Sequence, residues 1–253
     1  MTTYEQQMLS IAKELKERYG LSAIKCELES EGITRPELTH MAEIAWKSGL
    51  NLFIKIGGCE AISDLLLCRE YDVDGIIAPM IESPFAVRKF RSALESVYTD
   101  FTKLPSCFVN IESEFGLNNA ESILREGQLF LTGVTIGRGD LSKSMNISAE
   151  SINGEIMFSA VNALTTAIKK AELKCTLGGR IRPASITFIS SFSSKVDYFE
   201  TRNMIFSMQN NSLNHEAIEQ AIAFEKLCLK NRNQHLSALI SRNLCRIDSL
   251  EKM

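Results

Sequence analysis

Histidine is scarce in this sequence, with three in 253 residues, and His40, His215 and His235 all fall in helical patterns. Imidazole chemistry has little to draw on, and packing or surface roles suit these three better than a general base. The seven cysteines, Cys26, Cys59, Cys68, Cys107, Cys175, Cys228 and Cys245, contain no C-x-x-C and are odd in number. That pattern argues against a disulfide framework or a thiolate zinc site, and reads as reduced, mostly buried thiols. Charge of one sign is missing too: 28 Lys and Arg stand against 31 Asp and Glu, so nucleic acid is offered no basic face. No apolar run approaches the ~18 residues of a membrane span. The opening Met1-Thr-Thr-Tyr-Glu-Gln-Gln lacks the basic and then apolar regions of a signal peptide. The expectation is a cytoplasmic protein with neither membrane nor nucleic acid as a partner. No Gly-x-Gly-x-x-Gly opens a helix after the first strand, which leaves a Rossmann reading little support.

What is present is ordinary globular material, 45% apolar and 23% charged, enough for a large core. The length suits one α/β barrel of ~250 residues better than two stacked small domains, so a single domain over 1–253 is expected. Along the chain, strand and helix alternate. A helix from Tyr4 to Tyr19 closes at Gly20, and a strand from Leu21 to Glu29 follows. Further strands are expected at Leu52–Ile56, Gly75–Ala78, Cys107–Ile111, Val134–Ile136 and Lys174–Leu177. Between them lie helices over Arg35–Lys47, Ala61–Tyr71, Pro84–Val97, Asn118–Arg125 and Ile152–Ala171, and another begins after Pro183. Val196–Phe206 reads as a strand running into irregular chain, and 214–253 as a helical extension, helical from Asn214 to about Leu244. Strict alternation with short Gly or Pro joints predicts right-handed βαβ units and a parallel (β/α)8-type barrel. Seven strands are convincing and the eighth has no clear place, so irregularity is expected at the first or last strand.

Two segments carry the chemistry: Val109-Asn-Ile-Glu-Ser-Glu-Phe-Gly116 and Gly133-Val-Thr-Ile-Gly-Arg-Gly-Asp-Leu-Ser142. Each is a β-branched run that stops at a carboxylate, Glu112 in one and Asp140 in the other. An acid ending an apolar strand is expensive packing unless it is paired or holds a cation. At the mouth of a parallel barrel, where strand C-termini present functional groups, it makes sense. Two such acids, with glycines that let backbone approach a ligand, suit a hard divalent cation and an oxygen-rich substrate.

The stretch from about Ile24 to Met145 resembles the HpcH/HpaI aldolase and citrate lyase β-chain family, within the pyruvate-kinase-like barrel superfamily. The pieces that match are Gly75-Ile-Ile-Ala-Pro-Met-Ile-Glu-Ser83, the Ile111-Glu112 strand end with Gly116-Leu-Asn, and Ile136-Gly-Arg-Gly-Asp-Leu-Ser142 with Ser144 behind it. The resemblance implies Glu112 and Asp140 as ligands of Mg²⁺ or Mn²⁺, with a 2-oxo acid chelating the metal through its carboxylate and keto oxygens. Backbone around Gly139 and Asp140 would hold the far carboxylate oxygen. The implied activity is a metal-dependent carbon–carbon lyase or aldolase working through an enolate. The alternatives are phosphoryl or acyl transfer on the same scaffold, or a silent barrel kept as a ligand sensor or assembly subunit. Asn110 stands where pyruvate kinase has a lysine before its metal glutamate, which argues against phosphoryl transfer.

Lys55, within Leu52-Phe-Ile-Lys-Ile56, occupies the place of the family's enolate-stabilising arginine. The charge suits that role, although lysine lacks the planar fork; ion pairing with a mouth acid is the alternative, and a Schiff base is redundant beside a metal. Lys25, Glu27 and Glu29 alternate and so share one strand face. Glu29, the last of them, is the acid expected to reach the site from the strand's C-terminal end. The family histidine that follows this position is replaced here by Ser30-Glu31-Gly32, which leaves Glu29, a metal-bound water or another residue as the base. Arg138 either contacts an anionic substrate, with Gly139 and Asp140, or pairs with Glu112 or Glu82. Gly178-Gly179-Arg180 is a small anion nest or a plain turn, and Glu200 and Arg202 share a polar face of a late strand. In the last helix, Ile218, Ala221, Ile222, Cys228, Leu229, Leu236, Leu239 and Ile240 recur on one side, which predicts a helix that covers the barrel floor or docks in a homo-oligomer.

Overall fold

The computed structural model describes the backbone of residues 1–208 and 211–251, and their side chains except at 235, 238, 239 and 242–251. The side chains of His235, Leu239 and Cys245 therefore lie outside the described residues. In chain order the elements are α1 (Thr3–Tyr19), β1 (Leu21–Glu27), α2 (Leu28–Glu31), α3 (Arg35–Ser48), β2 (Asn51–Lys55) and α4 (Ile62–Glu70). Next come β3 (Gly75–Ala78), α5 (Pro84–Val97), β4 (Ser106–Ile111), α6 (Glu114–Asn118), α7 (Ala120–Gly127), β5 (Gly133–Gly137) and α8 (Arg138–Ser144). The last are α9 (Glu155–Lys170), β6 (Lys174–Gly178), α10 (Ile186–Ser190), β7 (Tyr198–Glu200), β8 (Met204–Ser207) and α11 (His215–Glu251).

Local chemistry sets the helix ends. Thr2 and Glu5 make reciprocal side-chain-to-backbone bonds that start α1, and Thr34 and Glu37 do the same for α3. Gly20 and Gly49, both left-handed, stop these two helices.

The strands close into a barrel in the order β1 to β8. Each pair of neighbours from β1 through β7 is parallel, whereas β8 runs antiparallel to both β7 and β1. The stretch Val196–Phe206 is thus a hairpin that supplies both of the final strands. Only antiparallel neighbours can be joined by so short a link as Thr201-Arg202-Asn203, since a parallel pair needs a crossover. The irregularity falls at the last strand, and the missing eighth strand is the return arm of this hairpin. The first strand is also shorter than expected: β1 ends at Glu27 and the chain turns into α2, so Glu29 does not continue the strand face of Lys25 and Glu27.

Inside the barrel, large side chains lie across glycines of the next strand. Phe53 is in register with Gly75, and Phe108 with Gly133. A Cβ on Gly75 would stand 2.2 Å from the Phe53 ring, and one on Gly133 would stand 2.5 Å from the Phe108 ring. The two rings meet edge to face at 5.9 Å. The same device recurs higher up, where Gly137 makes room for Glu112 and Gly178 for Glu200. Below the mouth the interior holds Phe53 and Phe108 with Ile77, Thr135 and Thr176, and the mouth holds the charged side chains. Outside the barrel, α11 packs antiparallel along α1: Asn231 bonds Glu5 near one end, and Tyr19 bonds Glu216 at the other. It lies along the barrel's flank. Ile218 and Ala221 are buried, while Leu229, Leu236 and Ile240 are exposed.

Gly75→Ala should overpack the interior and cost about 1–3 kcal/mol in urea unfolding. In a Phe53→Leu background the same change should cost clearly less. Equal costs in the two backgrounds would mean that the ring does not occupy the space over Gly75.

Candidate active site at the barrel mouth

Strand C-termini bring five ionisable side chains into one alternating row. Lys25 Nζ lies 2.6 Å from Glu200 Oε1 and 3.4 Å from Glu27 Oε1. Lys55 Nζ lies 3.7 Å from Glu27 Oε2 and 3.9 Å from Glu112 Oε1. The row therefore reads Glu200, Lys25, Glu27, Lys55, Glu112, from β7 through β1 and β2 to the end of β4. All except Lys55 are buried, and Lys55 is nearly so. Charges in such a place are tolerable only as neighbours of opposite sign, because each would be costly alone.

Electrostatics differ along the row. Burial alone would raise Glu27, but Lys25 and Lys55, the Ser30 hydroxyl and Arg202 override it and hold its carboxyl down to about 2. Burial opposes the charge on Lys25 as well, yet Glu200 and Glu27 win and raise its pKa. Glu112 goes the other way. Burial raises it, Lys55, the Met80 amide and the Asn110 side chain only partly offset this, and Asp140 adds repulsion. Its charge is under-compensated.

Glu112 is held from two sides: the Met80 amide donates to Oε1 at 3.0 Å and Asn110 Nδ2 to Oε2 at 3.1 Å. Met80 pays for this with a left-handed backbone, φ 52°. The side chain fits only because residue 137 is glycine; a Cβ there would stand 2.5 Å from Glu112 Oε2. Asp140 sits in the first turn of α8, half exposed, with Lys143 at 2.8 Å. Both acids line one open cleft of about 430 Å³, together with Lys25, Glu27, Lys55, Asn110, Gly139 and Glu200.

Among the described residues there is no group of three or more His, Cys, Asp or Glu arranged around a point. A divalent cation would have to be held by two carboxylates and other oxygens, and the mouth offers these. Glu112 is short of positive charge, Asp140 is close enough to repel it, and the Asn110 Oδ1 is buried without a partner. This donor set is all oxygen, which suits Mg²⁺ or Mn²⁺. Gly139, on the backbone before Asp140, borders the cleft, and its Cβ position is in van der Waals contact with Gly179 at 3.7 Å and Arg180 at 3.9 Å.

Two sequence expectations are corrected. Glu29 does not reach the cleft: it is exposed on α2 and packs over Gly57, while Glu27 takes the strand-end position. Arg138 does not face a substrate, nor does it pair with Glu112 or Glu82. It is wholly buried, bonds the carbonyls of Gly178 and Gly179 and the Asn153 side chain, and stacks on Phe188. Burial lowers its pKa to about 10. Arg138 opens α8 directly after Gly137, the last residue of β5, and its side chain turns away from the barrel interior. Glu82 accepts from Ser113, the residue after Glu112, and braces that turn. His40 and His215 lie in helices and pair with Glu5 and Glu219.

Glu27 should report its environment through acid stability. Its folded pKa lies below the unfolded value, so its contribution is complete above pH ~4.3 and is lost as pH falls toward 2. Glu27→Gln should lower Tm at pH 7, since buried Lys25 and Lys55 lose a shared partner, at a cost of about 3 kcal/mol or more. It should also flatten the decline of Tm between pH 4.5 and 2. A decline as steep as that of the wild type would place the titration elsewhere.

Residues 55–177 match the family model described as HpcH/HpaI aldolase/citrate lyase. An HpcH/HpaI aldolase from Desulfitobacterium hafniense DCB-2 is 13% identical, with TM-score 0.62, over 79% of this chain and 83% of that one. An HpcH/HpaI aldolase/citrate lyase family protein from Burkholderia cenocepacia J2315 gives 12% and 0.64, over 90% of each chain. A variant of the citrate synthase SbnG gives 14% and 0.57, over 94% and 90%. At such identities the structures speak for the fold. No curated protein matches the sequence. The family match contains Lys55, Glu112 and Asp140 and leaves out β1, β7 and β8, which carry Lys25, Glu27 and Glu200. From the end of β2 into β6, the stretch that contains Glu112 and Asp140, this chain matches the HpcH/HpaI aldolase/citrate lyase family model.

Proposed function

We propose that this barrel is a metal-dependent carbon–carbon lyase or aldolase that acts on a 2-oxo acid or a related acyl substrate in the cytoplasm. The observation that carries this reading is Glu112: a buried carboxylate, short of positive charge, fixed by two hydrogen bonds at the mouth, with Asp140 beside it and Lys55 at 3.9 Å. Glu112 and Asp140 would hold Mg²⁺ or Mn²⁺. When bound, the ion supplies Lewis acidity toward the carboxylate and keto oxygens of the substrate.

The chain's own groups do the rest. Lys55 presents an ammonium to the cleft, where it can face negative charge developing on the keto oxygen. Glu200 and Glu27 keep Lys25 charged, and Glu27 holds Lys55 in place. With its pKa held to about 2, Glu27 is a poor proton acceptor near neutral pH, so it positions Lys25 and Lys55 and does not serve as the base. The amides near Gly139 and Asp140 border the cleft where the far carboxylate oxygen of a 2-oxo acid would lie.

The test is exchange of the methyl protons of pyruvate in deuterated buffer with Mg²⁺ or Mn²⁺. Wild type should catalyse exchange. Glu112→Gln should lose metal affinity and exchange together. Lys55→Met should keep metal affinity within a few-fold and slow exchange by ~10²-fold. Metal binding without exchange of any 2-oxo acid would favour a silent barrel that senses ligand.

We also infer a homo-oligomer docked through α11, supported by exposed Leu229, Leu236 and Ile240 on one helix. Leu236→Glu with Ile240→Glu should reduce the mass measured by light scattering to that of the monomer. An unchanged mass would remove α11 from the contact.

A further inference from the structure

One side of the mouth carries arginines that the chemistry above does not use. At the end of β6 the chain runs Gly178-Gly179-Arg180, with Gly179 at φ +86° and Arg180 at φ +53°. Glycine is required at 179 on two counts, since the backbone is left-handed and a Cβ would stand 2.2 Å from the Gly139 amide nitrogen. Arg180 has no such freedom, so its left-handed backbone costs free energy. Buried Arg138 holds the turn in place by binding the carbonyls of both Gly178 and Gly179. The outcome is that the Arg180 stem lies over Gly139, its Cγ 3.9 Å from where a Cβ would stand, on the backbone that leads into Asp140.

Arg180 and Arg182 both line the cleft, and both are exposed. The other cations on this rim are committed: Lys143 pairs with Asp140, and Arg202 with Glu27 and Glu31. Among the described residues, no carboxylate comes within ion-pair distance of Arg180 or Arg182. Arg180 acts on Glu150 only at longer range, and Arg182 bonds the carbonyl of Ile181. A strained turn, locked from beneath, thus presents an uncommitted guanidinium at the rim of the cleft.

We propose that Arg180, with Arg182 next to it, recognises a second carboxylate on the substrate, remote from the end held by Glu112 and Asp140. The reactant is then a dicarboxylic acid, and Arg180 is the residue that selects it over a monocarboxylic one. This rests on the reading of the mouth as a 2-oxo acid site. A guanidinium suits the task because its fork meets a carboxylate with two parallel hydrogen bonds.

The experiment compares two probes of equal chain length, 2-oxoglutarate and 2-oxopentanoate, which differ only in the terminal carboxylate. Binding is measured by calorimetry with Mg²⁺ present. Wild type should bind 2-oxoglutarate at least about tenfold more tightly. Arg180→Gly should shrink that gap to about twofold or less and leave 2-oxopentanoate unchanged. The variant should lose no thermal stability, because glycine accepts the left-handed backbone that arginine adopts under strain. Arg180→Lys, which keeps the charge without the fork, should fall between the two. Equal binding of both acids by wild type, or a gap that survives Arg180→Gly, overturns the assignment while leaving the 2-oxo acid site standing. Failure of both acids to bind would take down the site reading as well.

Discussion

The row Glu200, Lys25, Glu27, Lys55, Glu112 is the constraint on which the mouth depends. Five buried or nearly buried charges hold their places because each faces the opposite sign within 4 Å. Three carboxylates against two ammoniums leave the row one positive charge short, and the shortfall settles at its end. Glu112 has only the more distant of Lys55's two contacts, at 3.9 Å, and the repulsion of Asp140. A low-dielectric pocket that leaves a carboxylate under-compensated is a pocket prepared for a cation. Arg202 adds its charge to Glu27 from outside, where it is half exposed and correspondingly weaker.

Space for these groups is made by glycine. Glu112 over Gly137 and Glu200 over Gly178 repeat the arrangement of Phe53 over Gly75 and Phe108 over Gly133 lower in the barrel. The interior of a small barrel cannot hold eight large inward side chains at one level. Setting large residues across from glycine lets them share one level of the interior without clash. Gly179 performs a related service outside the barrel wall, bringing the β6 loop against the turn before Asp140. Arg138 ties that junction with carbonyls as partners and no carboxylate, and Phe188 covers its flat face.

Much of the architecture was legible in residues. Strand ends at Glu112 and Asp140 stood out because an acid closing a β-branched run has few inexpensive homes. Helix limits at Gly20 and Gly49 followed from left-handed caps. What misled was continuity. Lys25, Glu27 and Glu29 alternate as a strand would, yet the chain coils after Glu27, and the short α2 turns Glu29 outward. Val196–Phe206 is continuous in β propensity, yet it bends at Thr201-Arg202-Asn203 without the Asn-Gly or Gly-Gly that announces a hairpin. Arg138 adjoins the site in sequence, yet it opens α8 past the end of β5 and is buried against the turn after β6, outside the wall.

The sequence by itself determined the alternation of strand and helix, the barrel, and the two acids that follow neighbouring strands. These depend on periodicity and on the local cost of burying charge, and both can be read residue by residue. Only the tertiary structure decided which charges meet. That Lys25 on β1 pairs with Glu200 on β7, 175 positions away, depends on a barrel closed by an antiparallel hairpin. That Arg180 stands over Gly139 depends on two loops touching through a glycine. Coulombic partners separated by most of the chain leave no trace in local pattern, because their energy depends on distance in space and not on distance in sequence.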